Sequence, residues 1–292
     1  MGLALALVIA VAVLPACGDG GGSGGPGDGR LSIVASFYPL VDAARGVGDE
    51  RVEVANLTPA GVEPHDIELN PRQLDRVEDA DLVLFLGGGF QPAVEDAVRR
   101  ARKAVDLGAR LSLVESSGAV PGDPHVWLDP TLFTQVVDGI EAALVEVDPA
   151  ETDAYQAGAA EYRRRLAELD AELAAGLAEC ERRTIVTTHD AFGFLAGRYR
   201  LEHLAISGLS PDAEPDPRRL AELADTVRTR GVTTVFTETL VSPRVAETLA
   251  REAGVQTAVL DTIEGVDKEG EEDYFSLMRA NLATLRTALG CR

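Results

Sequence analysis

The fold class this sequence predicts is α/β: two lobes, each with a mostly parallel sheet flanked by helices, joined by one long rigid helix. Three observations predict it. From residue 30 onward, short β-branched runs alternate with amphipathic helical stretches, the pattern of a parallel sheet with crossover helices. That rhythm breaks once, in a segment at residues 149 to 180 that is rich in Ala, Glu, Leu and Arg and has no proline after its start. The chain's 292 residues are enough to bury two moderate cores.

The elements follow in order. The opening MGLALALVIAVAVLPAC is apolar, shorter than a membrane span, and followed at once by glycine-rich sequence, which suits a cleaved secretory signal at residues 1–16. Leu14, Pro15, Ala16 and Cys17 resemble a bacterial lipobox, so Cys17 is expected to carry lipid. Residues 17–29 then form the lipidated end and a flexible tether about 20 Å across as a coil. The first lobe is expected at residues 30–148, with strands in LSIVAS, VEVANL, DLVLFLG and LSLVES, and the second at residues 181–292, with strands in TIVTTH, LEHLAISG, VTTVFTE and QTAVLDT. Asn70, Asp129, Asp216 and Ser242 each precede a proline, which predicts a capped helix opening with proline at the first helical position.

Between the lobes, residues 149–180 place Leu166, Leu169, Leu173 and Leu177 on one stripe and predict a helix about 45 Å long. The stripe is too short for a coiled-coil seam, and the protein is expected to be a monomer. Cys180 and Cys291 are expected to pair in an oxidising compartment and to pin the C-terminal helix, contributing about 4 kcal/mol by loop entropy.

With 27 basic against 48 acidic residues, the net charge is -21. Nucleic acid is excluded as a partner, since binding it requires clustered cations that displace counterions. No HExxH or Walker pattern occurs, and the glycines at 87 to 89 lack the GxGxxG spacing and read as a turn.

Three of the four histidines, His65 in EPHDIE, His125 in DPHVWLDP and His189 in TTHDAFGF, lie in loops that strands feed. In open α/β sheets, ligands gather at the carboxyl ends of strands. Asp261 closes the run QTAVL, with Glu238 at the end of VFTE as the competing carboxylate. Three imidazoles and a carboxylate have the number and type of ligands of tetrahedral zinc. Glu63, Asp66, Glu68, Asp123 and Asp129 lie close enough in sequence to orient the rings as outer carboxylates. His203 falls inside a strand and is assigned to structure, and Trp127 to packing between lobes.

The motifs ASFYPLVD, TPAGVEPHDIELNP, DPHVWLDP, TTHDAFGFLAGRY, FTETLVSPRVAETLAREAG and VLDTIEG, in this order, resemble the substrate-binding lipoproteins of bacterial zinc and manganese ABC importers, the ZnuA/TroA-like or cluster A-I family. The resemblance covers residues 31 to 292. It implies His65, His125, His189 and Asp261 as metal ligands, and two lobes on one rigid helix. It also implies a non-enzymatic receptor, outside the cytoplasm and lipid-anchored or periplasmic, that hands Zn²⁺ to a membrane permease. Histidine at position 189, where manganese-specific relatives tend to carry glutamate, favours Zn²⁺ over Mn²⁺. The histidine-rich loop of many zinc-specific relatives is missing between His65 and His125. Rival readings are a Mn²⁺ receptor, a zinc hydrolase with Asp261 as base, and an adhesin or chelate receptor on the same scaffold.

Overall fold

Two four-stranded parallel sheets frame the computed structural model, which describes residues 29–111, 119–211, 216–268, 270 and 272–292. The expected signal, Cys17 and the strand in LSLVES lie outside the described residues. The first sheet comprises β1 (Leu31–Ala35), β2 (Val52–Asn56), β3 (Leu82–Phe85) and β4 (Ala104–Asp106), ordered β2-β1-β3-β4. The second comprises β5 (Thr184–Thr187), β6 (Glu202–Ala205), β7 (Thr234–Thr237) and β8 (Gln256–Val259), ordered β6-β5-β7-β8. The two sheets thus repeat one winding. In each, strand order reverses between the first and third strands, and the crevice beyond that point is where doubly wound folds bind ligands.

Central strands are buried on both faces, as parallel sheets covered by helices require: Ile33, Val34 and Ala35 of β1 and all four residues of β7 are buried. The helices of the first lobe are α1 (Tyr38–Gly48), α2 (Pro71–Asp79), α3 (Pro92–Ala97) and α4 (Pro130–Val147). Asn70 caps α2 by accepting from the amides of Arg72 and Gln73, and the Gln73 side chain returns a bond to the Asn70 amide. Asp129 caps α4 through the amide of Thr131. After a 3-10 turn at Pro149–Glu151, α5 runs from Thr152 to Gly176, 25 residues or about 37 Å. Its leucine stripe is buried, and it packs against α1, α4 and the last helix.

The second lobe adds α6 (Gly193–Arg198), α7 (Pro217–Thr229), α8 (Arg244–Ala253) and α9 (Tyr274–Leu289). Asp216 caps α7 as expected, through the amide of Arg218. At α8 the opening is displaced by one residue. Pro243 itself takes the cap position and its carbonyl accepts the Glu247 amide, so Ser242 stands outside the helix. Cys180 and Cys291 are joined by a disulfide, fixing the end of α9 beside the end of α5. Among the described residues, no helix is long and apolar enough to cross a membrane.

The lobes share more than α5. One apolar cluster runs from Ile33 and Leu84 through Phe133, Tyr162 and Leu169 to Phe236, Phe275 and Met278. Polar bonds cross the same seam. The Tyr38 hydroxyl donates to the Glu272 carbonyl (3.0 Å), that of Tyr274 to the Trp127 carbonyl (2.6 Å), and the Trp127 indole to the Thr262 carbonyl (2.7 Å). Trp127 is fully buried and packs edge-on against Phe37, the lobe-joining position expected of it.

Candidate metal centre

Each ligand-bearing loop is anchored before it reaches the crevice. The loop after β2 is held by Thr58, whose hydroxyl donates to the Ser36 carbonyl (2.7 Å), and by buried Gln91, whose amide donates to the Pro64 carbonyl (3.2 Å) and to Thr58 Oγ1 (3.1 Å). Glu63 accepts the His65 backbone N–H (3.0 Å), and the His65 ring lies edge-on to Phe90. His125 ends the irregular loop that precedes a 3-10 turn at Val126–Leu128 and the Asp129 cap of α4. His189 stands two residues past β5, its carbonyl accepting the Thr187 hydroxyl (2.7 Å).

Two carboxylates orient two of the rings in the same way, each gripping both backbone and imidazole of one histidine. Asp123 Oδ1 accepts from the His125 amide (2.9 Å) and faces its Nδ1 (2.7 Å). Glu238 accepts the His189 amide (3.0 Å) and faces its Nδ1 (2.6 Å). An anionic carboxylate keeps the proton of a neutral ring on Nδ1, so that Nε2, once its own proton is lost, turns a lone pair into the crevice. Of the acidic neighbours expected to orient rings, Asp123 does so. Asp129 instead caps α4, and Glu63 binds backbone.

Four atoms that could hold a metal ion converge: Nε2 of His65, His125 and His189, and Oε1 of Glu264, all within 4.8 Å of one another. His125 and His189 Nε2 are 3.3 Å apart, and Glu264 Oε1 lies 3.0, 3.4 and 3.6 Å from Nε2 of His125, His189 and His65. Ligands about 2.0–2.1 Å from a tetrahedral zinc stand about 3.3 Å from each other, so the observed spacing fits. His125 and His189 are fully buried, Glu264 is 2% exposed and His65 9%. His65 Nε2 and Glu264 Oε1 have no hydrogen-bond donor although both atoms are buried. Buried acceptors facing one another without a donor are costly unless a cation or proton sits among them.

The electrostatics agree. Burial opposes a proton on His189, but the Glu238 and Glu264 carboxylates outweigh it and push the imidazole up to about 10. His125 is raised for the same reasons, with Asp123 and Glu264 overcoming burial. Burial pushes Glu264 upward, yet the three imidazoles hold it well below the usual carboxylate range. The centre therefore favours positive charge.

Asp261, the expected carboxylate ligand, lies outside this group of four, and the carboxylate within it is Glu264. Asp261 Oδ1 accepts the Ile263 backbone N–H at 2.7 Å, a local turn that keeps the carboxylate beside its own chain. Burial raises its pKa to about 6. Glu238, the competing candidate, sits behind His189. The missed residue carried a sequence signal: an Asp two residues before a backbone N–H favours such a turn, and the next carboxylate along VLDTIEG is Glu264. His203 lies within β6, between Thr187 Oγ1 (2.7 Å) and Asp190 (3.2 Å), as a structural residue does.

Two parallel-sheet lobes on a shared backbone helix, with buried imidazoles and a carboxylate meeting in the crevice between them, define a bilobal α/β protein whose centre could hold a metal cation. The family model described as the zinc-uptake complex component A, periplasmic (ZnuA), matches residues 33–288, and the chain belongs to that family. It is 33% identical over 288 residues to the zinc-binding protein AdcA of Streptococcus pyogenes serotype M18, with 89% of this chain and 56% of AdcA covered. The high-affinity zinc uptake system protein ZnuA of Bacillus subtilis is 33% identical over 280 residues, with 89% and 88% covered. Thus the chain spans just over half the length of the AdcA proteins. Among solved structures, the Zn(II)-bound ZnuA-like domain of Streptococcus pneumoniae AdcA superposes with a TM-score of 0.76 at 33% identity, covering 89% of this chain and 99% of that one. The laminin-binding protein Lmb of Streptococcus agalactiae, described as having adhesin and metal transporting activity, gives 0.82 at 30% identity, with the same coverage.

Proposed function

We propose that this protein is the extracytoplasmic capture component of a zinc importer. It binds one Zn²⁺ through His65, His125, His189 and Glu264 and delivers it to a membrane permease driven by an ATPase. The observation that carries this reading is the convergence of three buried imidazoles and one buried carboxylate, with His65 Nε2 and Glu264 Oε1 left without a hydrogen-bond partner. The names of the AdcA and ZnuA relatives support zinc as cargo. Three imidazoles with one carboxylate suit Zn²⁺ better than Mn²⁺, which prefers oxygen ligands. A fourth protein ligand would fill the position that a catalytic water needs, and Asp261, the base a hydrolase would use, accepts its own chain's Ile263 N–H, which favours a binding site over a hydrolase. On this reading, residues 1–16 are the secretory signal, Cys17 carries the lipid anchor, residues 30–148 and 181–292 are the lobes, and residues 149–180 link them.

Competitive titration of Zn²⁺ against Mn²⁺ on the soluble protein, followed by metal analysis, tests the proposal. One tightly held Zn²⁺ that Mn²⁺ does not displace is expected. Tighter binding of Mn²⁺, or Zn²⁺ affinity unchanged in His189→Ala, defeats it.

A further inference from the structure

The loop that delivers Glu264 is built unlike the three that deliver histidines. Ile263, immediately before Glu264, has φ of 57° and is fully buried. A β-branched residue in the left-handed region is a genuine outlier, because Cβ crowds the backbone there. Such strain persists only where neighbours over-determine it. Here the neighbours can be named. Asp261 Oδ1 accepts the Ile263 N–H (2.7 Å), and the Asn281 side chain both accepts the Asp261 N–H (2.8 Å) and donates to the Asp261 carbonyl (2.7 Å). From the other lobe, the Trp127 indole grips the Thr262 carbonyl (2.7 Å), and the Gly61 N–H donates to the Val266 carbonyl (2.9 Å). Both of these donors belong to the segments that carry His125 and His65. The Glu264 turn is therefore clamped from below by α9 and on both flanks by the first lobe.

Building on Glu264 as the carboxylate ligand, we infer that Asp261 is the positioning residue of this centre: its carboxylate holds Ile263 in the left-handed conformation, and that conformation aims Glu264 at the three imidazoles. Asp261 acts as a hydrogen-bond acceptor and does not touch the metal.

The test separates acceptor, charge and strain. Zn²⁺ affinity is measured by chelator competition, with the visible spectrum of bound Co²⁺ reporting coordination. Asp261→Ala is expected to weaken Zn²⁺ by about tenfold to a hundredfold, the range of a hydrogen bond to a charged group. Asp261→Asn, whose amide oxygen still accepts the Ile263 N–H, restores most of the affinity and a wild-type Co²⁺ spectrum, whereas replacing an anionic carboxylate ligand with a neutral amide would weaken Zn²⁺ and change that spectrum. Glycine adopts positive φ without penalty. Adding Ile263→Gly to Asp261→Ala therefore recovers affinity, whereas adding Ile263→Ala, which opens a similar cavity without that freedom, does not. Loss in Asp261→Asn equal to that in Asp261→Ala, or failure of Ile263→Gly to recover binding, overturns the positioning role. Glu264→Gln keeps the underlying reading separate. If it loses Zn²⁺ while Asp261→Ala does not, only the positioning role falls. If it binds as wild type, the ligand set is wrong and the inference falls with it.

Discussion

At the scale of single residues, the centre depends as much on the two outer carboxylates as on the atoms that face the cation. Glu238 holds the proton on His189 Nδ1 and, against burial and together with Glu264, raises the imidazole pKa to about 10. The sign of the pH effect follows. Below that pH the metal-free site holds a proton that Zn²⁺ must displace, so apparent affinity falls as pH falls, by up to about tenfold per unit for each proton released. The loss begins well above the ordinary imidazole value of about 6.5. Glu238→Gln is expected to weaken Zn²⁺ at high pH by about tenfold to a hundredfold and to flatten the slope through neutrality, read by chelator competition between about pH 6 and 9. An unchanged slope would show that Glu238 does not control the proton. The three histidines were legible in the sequence because each lies in a loop past an expected strand, and the strands before His65 and His189 are β2 and β5. Glu264 was overlooked because counting residues from a strand end stops at Asp261, although the turn signal of Asp261 pointed past it to the next carboxylate.

At the scale of elements, seven of the eight expected strand runs hold β1 to β3 and β5 to β8, and α2, α4 and α7 open at their expected caps. β4 escaped because three residues, Ala104–Asp106, are too few to show a period. Two glycines in helices, each costly there by propensity, make sense only in the packed structure. A Cβ on Gly158 of α5 would stand 2.3 Å from the Val47 carbonyl oxygen at the end of α1, and one on Gly46 of α1 would stand 2.4 Å from the Tyr162 ring. The two helices thus cross at backbone distance. Gly158→Ala is expected to destabilise the protein by about 1–3 kcal/mol, although alanine is the better helix former, because the obstacle is main chain and cannot swing aside. Urea denaturation checks it. A stabilised variant would mean that the crossing relaxes freely.

At the scale of the whole molecule, one core spans both lobes, so separating them would expose apolar surface that α5 alone could not cover. Motion should be confined to the loops over the centre. The disulfide closes 111 residues of chain, nearly the whole second lobe. Removing it by a paired Cys180→Ala and Cys291→Ala change is expected to cost about 2–5 kcal/mol, seen as a lower melting temperature with Zn²⁺ affinity little altered. The shared core also makes the protein report on itself. Its one tryptophan is Trp127. That indole lies 5.1 Å from the His125 ring, centroid to centroid, and donates across the lobe boundary to the turn before Glu264. Light absorbed at the red edge of the protein band therefore excites one buried chromophore beside the centre. Exchange of a proton for a metal on His125 changes the field at that ring, so unlabelled emission can follow both arrival and departure of the cation in real time.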